Sequence, residues 1–92
     1  MLIEYDPAKR EWTLRIRGLD FEDARKVFAE IHVEMEDDRA DYGETRWIVF
    51  GKLKSSIVPL VWTPRGEARR IISMRKCNAR EQEKYGSRLH RS

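Results

Sequence analysis

Apolar positions change their spacing along this chain, and the changes divide it into elements. Phe21, Ala24, Phe28 and Ile31 recur at steps of three and four, which is one stripe of a helix. Asp20 stands before that stripe as an N-cap, with Asp23 three residues on in a loose capping-box position. An earlier helix runs from Ala8 to Arg17. Asp6 is its N-cap, Pro7 its first helical residue and Gly18 its stop. Trp12 and Ile16 lie four apart on that helix, with Leu14 offset. Residues 2–5 read as a short strand or an extended lead-in.

From Arg46 onward the pattern is that of strands. Arg46 to Phe50 is rich in aromatic and β-branched residues. Lys54 to Ser56 is a turn. Ile57 to Thr63 is the next strand, with Pro59 marking an edge or a bulge. Pro64 to Gly66 turns again, and Ala68 to Arg75 closes the series. Two short turns in succession predict an antiparallel meander. Asn78 and Glu81 form a capping-box signal for a last helix that ends by Gly86. Residues 87–92 read as a frayed tail. The expected architecture is one α+β domain over residues 1–92. It has two N-terminal helices, an antiparallel three- to four-stranded sheet and a short C-terminal helix, with the helices on one face.

Composition adds a charge asymmetry. The chain has 92 residues, 38% of them charged against an ordinary share of about a quarter. Residues 1–44 carry 7 basic and 13 acidic side chains, and residues 45–92 carry 12 basic and 3 acidic. The halves are thus −6 and +9, and the total is +3. A half at +9 attracts polyanions or an acidic partner. The acidic stretch 34–44 reads as a strand end and an exposed loop. It lacks the alternating oxygen ligands, central glycine and terminal glutamate of a calcium loop. No metal or cofactor is expected. Cys77 is the single cysteine, so an intrachain disulfide is excluded, which suits a reducing cytoplasm. The N-terminus is charged too early for a signal peptide, and no apolar run nears the ~18 residues of a membrane span.

The arginines of the last third carry the candidate chemistry. Arg65, Arg70 and Arg75 are the main phosphate-binding candidates, because a guanidinium presents a fixed fork to phosphate oxygens. Strand alternation places Arg69, Ile71, Ser73 and Arg75 on one face, and Arg70, Ile72 and Met74 on the other. Arg75, near the strand end, is expected to converge with Arg46 and Arg65. Glu67 is the only carboxylate between residues 45 and 80. It reads either as a general base or as a salt-bridge partner of a neighbouring arginine. Lys9 projects from the first helix toward the same site. Tyr85 stacks on a base or donates a proton, or else anchors the last helix. The three tryptophans Trp12, Trp47 and Trp62 read as core or partner contacts. His32 and His90 do not form a catalytic pair.

Several pieces stand in a recognisable order. They are Tyr5-Asp-Pro-Ala-Lys9, Arg17-Gly-Leu-Asp-Phe-Glu-Asp-Ala24, Arg46-Trp-Ile-Val-Phe-Gly51, Thr63-Pro-Arg-Gly66, Arg70-Ile-Ile-Ser-Met-Arg-Lys76 and Glu81-Gln-Glu-Lys-Tyr85. The ordered set resembles the BrnT family, toxins of bacterial type II toxin–antitoxin pairs. The resemblance implies a RelE-like fold and endoribonuclease activity that inhibits growth. It also implies a BrnA-type antitoxin with a ribbon-helix-helix domain, hetero-oligomer formation, and operator DNA bound only through that antitoxin. On this basis Arg65, Glu67, Arg75 and Lys9 are catalytic candidates, and Arg46, Arg70, Lys76 and Tyr85 are RNA contacts. The other reading is a basic RNA- or protein-binding module without catalysis. The family often has Lys-His-Gly where this chain has Ile16-Arg17-Gly18, Asn where it has Thr13, and Ala where it has Met74. An arginine cannot transfer protons at neutral pH as a histidine does.

Overall fold

A computed structural model describes residues 1–89. The chain opens with a strand, β1 (Leu2–Glu4), and then the capped helix α1 (Pro7–Arg17). The Asp6 carboxylate accepts from the Ala8 amide at 2.9 Å, and Gly18 takes a left-handed φ of 70° to end the helix. A 3-10 turn follows at Phe21–Asp23, then α2 (Ala24–Ala29), β2 (His32–Glu36), β3 (Trp47–Leu53), β4 (Ser56–Arg65), β5 (Ala68–Met74) and α3 (Ala79–Leu89).

The α+β class holds, but the expected layout is corrected in three respects. First, there is one full N-terminal helix, not two. Asp20 caps only a 3-10 turn, and α2 is six residues long. Val27 rather than Ile31 supplies its inward face: Val27 is buried and Ile31 exposed. The chain leaves the helix at Glu30 because His32 to Glu36 pair with β3. Gly51 lets the two elements meet, since a Cβ there would lie 2.7 Å from a Val27 methyl.

Second, the sheet is five-stranded and mixed, in the order β1-β5-β4-β3-β2. Only β1 runs parallel to its neighbour: Leu2, Ile3 and Glu4 pair with Ala68, Arg69 and Arg70. A parallel partner cannot be read from local turn signals, because it requires the chain to cross over and return.

Third, helices cover both faces. Phe21, Ala24, Val27 and Phe28 pack with Val49, Leu60, Trp62, Ile71 and Met74 on one side. Tyr85 and Leu89 of α3 pack with Ile48, Phe50, Ile57 and Val61 on the other. Both sets of alternate residues in β3 and β4 are therefore buried. That explains why these strands read as continuous apolar runs. α3 continues through Gly86 to Leu89, so residues 87–89 are helical rather than frayed. Residues 90–92, including His90, lie outside the described residues.

Candidate functional site

The position of the arginines is set by two details of β5. One is its pairing with β4, which runs from Arg65↔Ala68 to Leu60↔Met74. The other is a bulge: Val61 lies opposite Ser73, but Trp62 lies opposite Ile71. The extra residue resets the alternation. Arg69, Ile71 and Met74 face the α2 side, where Arg69 lies 4.4 Å from the Phe28 ring centre and 4.6 Å from that of Trp62. Arg70, Ile72 and Arg75 face the α3 side. Strict alternation had separated Arg70 from Arg75, and the bulge reunites them.

Arg65 is not in a turn. It is the last residue of β4, and the two-residue turn after it is Gly66–Glu67, with Gly66 at φ 60°. Its pairing with Ala68 fixes its direction. It points to the same face as Thr63, two residues earlier. Thr63 is buried, and its hydroxyl donates to the Thr45 carbonyl at 2.7 Å. That bond pins the end of the acidic loop beside β4 and brings Glu44 and Arg46 next to Arg65.

The result is a chain of alternating charges. Arg46 pairs with Glu44 at 3.0 Å, and Glu44 reaches Arg65 at 3.6 Å. Arg65 also reaches Glu4 at 3.6 Å, and Glu4 pairs with Arg70 at 3.2 Å. Three guanidiniums thus share two carboxylates, which leaves one net positive charge. Arg46 also lies over the Tyr42 ring, 4.2 Å from its centre. The pairs are partly exposed, with Arg65 half exposed at 51%. Exposed pairs of this kind contribute about 0–1 kcal/mol each. A phosphate could therefore replace a carboxylate here at small cost.

Arg75 does not join this chain. Its guanidinium makes two bonds to Glu81, at 2.8 and 2.7 Å, at the start of α3. Glu81 also accepts from the Asn78 amide at 3.0 Å, and Asn78 caps the Glu81 amide in return at 2.8 Å. The Arg75 guanidinium holds the Glu81 carboxyl below its usual range, and Glu81 raises Arg75. Arg39 acts on both electrostatically, from a loop where it clasps buried Asp37 at 2.7 and 2.8 Å.

The remaining expected residues are scattered. Lys9 is exposed, and its ammonium donates to the Ile72 carbonyl at 2.7 Å, on the β5 edge beyond the end of β1. Arg17 does the same for the Met74 carbonyl at 2.7 Å. Arg17 thus closes a backbone hydrogen bond on the same strand. Glu67 is exposed in its turn and, among the described residues, makes no ion pair. Lys76 is exposed beyond β5. Tyr85 is 5% exposed, and its ring stacks on Phe50 with centres 4.2 Å apart, so it sits in the core rather than on a binding surface. His32 begins β2, with Nδ1 2.8 Å from the Glu30 carbonyl. Trp47 and Trp62 pack in the core, while Trp12 is exposed.

Glu4 and Glu44 are functional candidates that sequence reasoning missed. Their partners lie far away in the chain, except for Arg46 beside Glu44. The one available signal was the opposition of an acidic and a basic half. Among the described residues, no three His, Cys, Asp or Glu side chains are grouped to hold a metal ion. Nor is any described helix long and apolar enough to cross a membrane.

A search of curated proteins found no match. Residues 5–81 match the family described as "Ribonuclease toxin, BrnT, of type II toxin-antitoxin system". The matched span includes α1, β2 to β5, Arg75 with Glu81, and every member of the alternating chain except Glu4. The chain therefore belongs to the BrnT ribonuclease toxins of type II toxin–antitoxin systems.

Proposed function

We propose that this toxin is a metal-independent endoribonuclease of the cytoplasm. In this reading it cuts RNA on the face that carries Arg46, Arg65 and Arg70. The observation that carries the reading is the convergence of these three arginines from β3's approach, β4's end and β5. Each is held by a partly exposed carboxylate, Glu4 or Glu44, that a phosphate can replace. Cleavage uses the ribose 2′-hydroxyl as nucleophile on the adjacent phosphate: the bond from the 2′-oxygen to phosphorus forms as the bond from phosphorus to the 5′-oxygen breaks, and the leaving 5′-oxygen takes a proton from water. The arginines stabilise the charge that builds on the phosphate oxygens. Glu67, unpaired among the described residues and two positions from Arg65, takes the hydroxyl proton. Arg75, Lys9 and Lys76 extend the positive surface along β5. Tyr85 holds α3 to the sheet. Positioning and electrostatics then supply most of the rate, as suits a site without a histidine pair.

The antitoxin that accompanies a type II toxin is, in this proposal, of the BrnA type. It carries a ribbon-helix-helix domain, and the hetero-oligomer reaches operator DNA through it alone.

The test is purified protein incubated with mixed RNA at low salt, with EDTA or with magnesium. Fragments ending in a cyclic phosphate, formed equally in EDTA, are the expected result. Cleavage only with magnesium would end the claim of metal independence. Intact RNA under both conditions would end the ribonuclease reading for this chain. Arg65→Ala is expected to lower the cleavage rate by roughly 10²-fold, as loss of one aligned charge-stabilising donor does. Circular dichroism should remain that of the wild type.

A further inference from the structure

Helix α1 is turned inside out. A surface helix ordinarily buries an apolar stripe and exposes its charges. In α1 the buried residue is Thr13. The side chains that fasten it are polar: Lys9 to the Ile72 carbonyl, Arg17 to the Met74 carbonyl, and Arg10 to Asp20 at 2.8 and 3.0 Å. Trp12 and Ile16 share an outer stripe and are 44% and 58% exposed. Exposed Ala8 continues that stripe.

The charges beside the stripe are mainly basic. Arg15 is exposed next to it, and the Arg17 guanidinium lies 5.0 Å from the Trp12 ring centre. Lys9 borders it on the sheet side. Glu11 is the acidic residue of the helix. Tryptophan flanked by arginine is the composition of an interface anchor rather than of a solvated helix. α1 also ends at Met74, one residue before Arg75, so a chain lying on it continues toward the basic end of β5.

We propose that this face of α1 is where the antitoxin docks. The antitoxin covers Trp12 and Ile16 with an apolar stripe and meets Arg15 and Arg17 with acidic side chains. The proposal rests on the antitoxin pairing given above and not on the ribonuclease chemistry. Charge complementarity favours such a segment over a second copy of this chain, whose own α1 would bring the same positive charges.

The test is titration of the toxin with the purified product of the neighbouring antitoxin gene. Trp12→Glu combined with Ile16→Glu is expected to weaken binding by about 30-fold or more, the scale of a lost anchor residue. Arg15→Glu alone should weaken it less and flatten its dependence on salt. Both variants should still cut RNA at the wild-type rate, and co-expressed antitoxin should no longer restore growth to cells that make the double variant. Unchanged affinity in the double variant would overturn the proposal. So would a wild-type dimer that the double variant splits while antitoxin binding persists. If the double variant loses its fold as well, Trp12→Ala decides between the same outcomes. A wild-type toxin that fails to bind the neighbouring product would refute the pairing itself, whatever its activity on RNA.

Discussion

Helices α1 and α3 are each eleven residues long, and they are fastened to the same sheet by opposite means. α3 buries Tyr85 and Leu89 against Phe50, Ile57 and Val61, and Leu89 is only 2% exposed. α1 buries a threonine and holds on by hydrogen bonds from Lys9 and Arg17 to backbone carbonyls. Burial of apolar area is non-directional and strong. Polar fastening is weaker, but it leaves the helix's apolar side chains available to another molecule. In addition, it caps the β5 carbonyls that β1 is too short to reach, so the sheet edge is closed to stray pairing. One helix completes the core, and the other presents a surface.

The largest test of this contrast is truncation of the two aromatic residues. Tyr85→Ala should cost about 3 kcal/mol, the scale of a large core side chain replaced by alanine. Trp12→Ala should cost less than about 1 kcal/mol, since an exposed ring gives up little on removal. Denaturant titration of both variants checks this, and equal losses would break the contrast. Next, Arg17→Ala should cost about 1–2 kcal/mol, because it leaves the Met74 carbonyl without its charged donor. Amide exchange should then rise near Met74 and not in α3.

Acid should loosen both helices at their ionic fastenings. Arg10 holds the Asp20 carboxyl below its usual range, and Arg75 does so for Glu81. For a lowered carboxyl, the stabilising contribution is complete above the unfolded value. It is lost as pH falls through the folded one. The thermal midpoint should therefore fall as pH drops from about 5 to about 3. Glu81→Gln should flatten that dependence, and an unaltered acid profile would show that the Arg75 pair does not hold α3. The smallest effect is expected at Gly86. Its added Cβ would lie 2.9 Å from the Gln82 side-chain nitrogen, the flexible end of a chain that can move. Gly86→Ala should then stabilise α3 by about 0.5 kcal/mol through helix propensity. A loss instead would mean that Gln82 is fixed there.

The parts of the fold legible in the chain were those encoded within a few residues. Asp6, Pro7 and Gly18 marked α1, and the structure keeps all three in their expected roles. Asn78 and Glu81 marked the start of α3, and their reciprocal bonds are present. The meander was marked by its turns. The site was legible only as a list of arginines. Arg46, Arg65 and Arg70 do meet, but through Glu4 and Glu44, which nothing local distinguished. Strand alternation breaks at a single residue: the bulge between Ile71 and Ser73 puts Arg70 and Arg75 on one face.

The sequence by itself determined the helix caps, the turns, the apolar strands and the separation of acidic from basic halves. These depend on neighbouring residues and on composition, so they survive without knowledge of the fold. Family membership too was readable from ordered pieces of the chain. Only the tertiary structure decided that β1 runs parallel to β5, that both faces of the sheet are covered, and that α1 shows its apolar side to solvent. Each of these depends on which distant segment arrives to satisfy a strand edge or an apolar face. Lys9 and Arg17 took the β5 edge, and Trp12 and Ile16 were left outside for that reason.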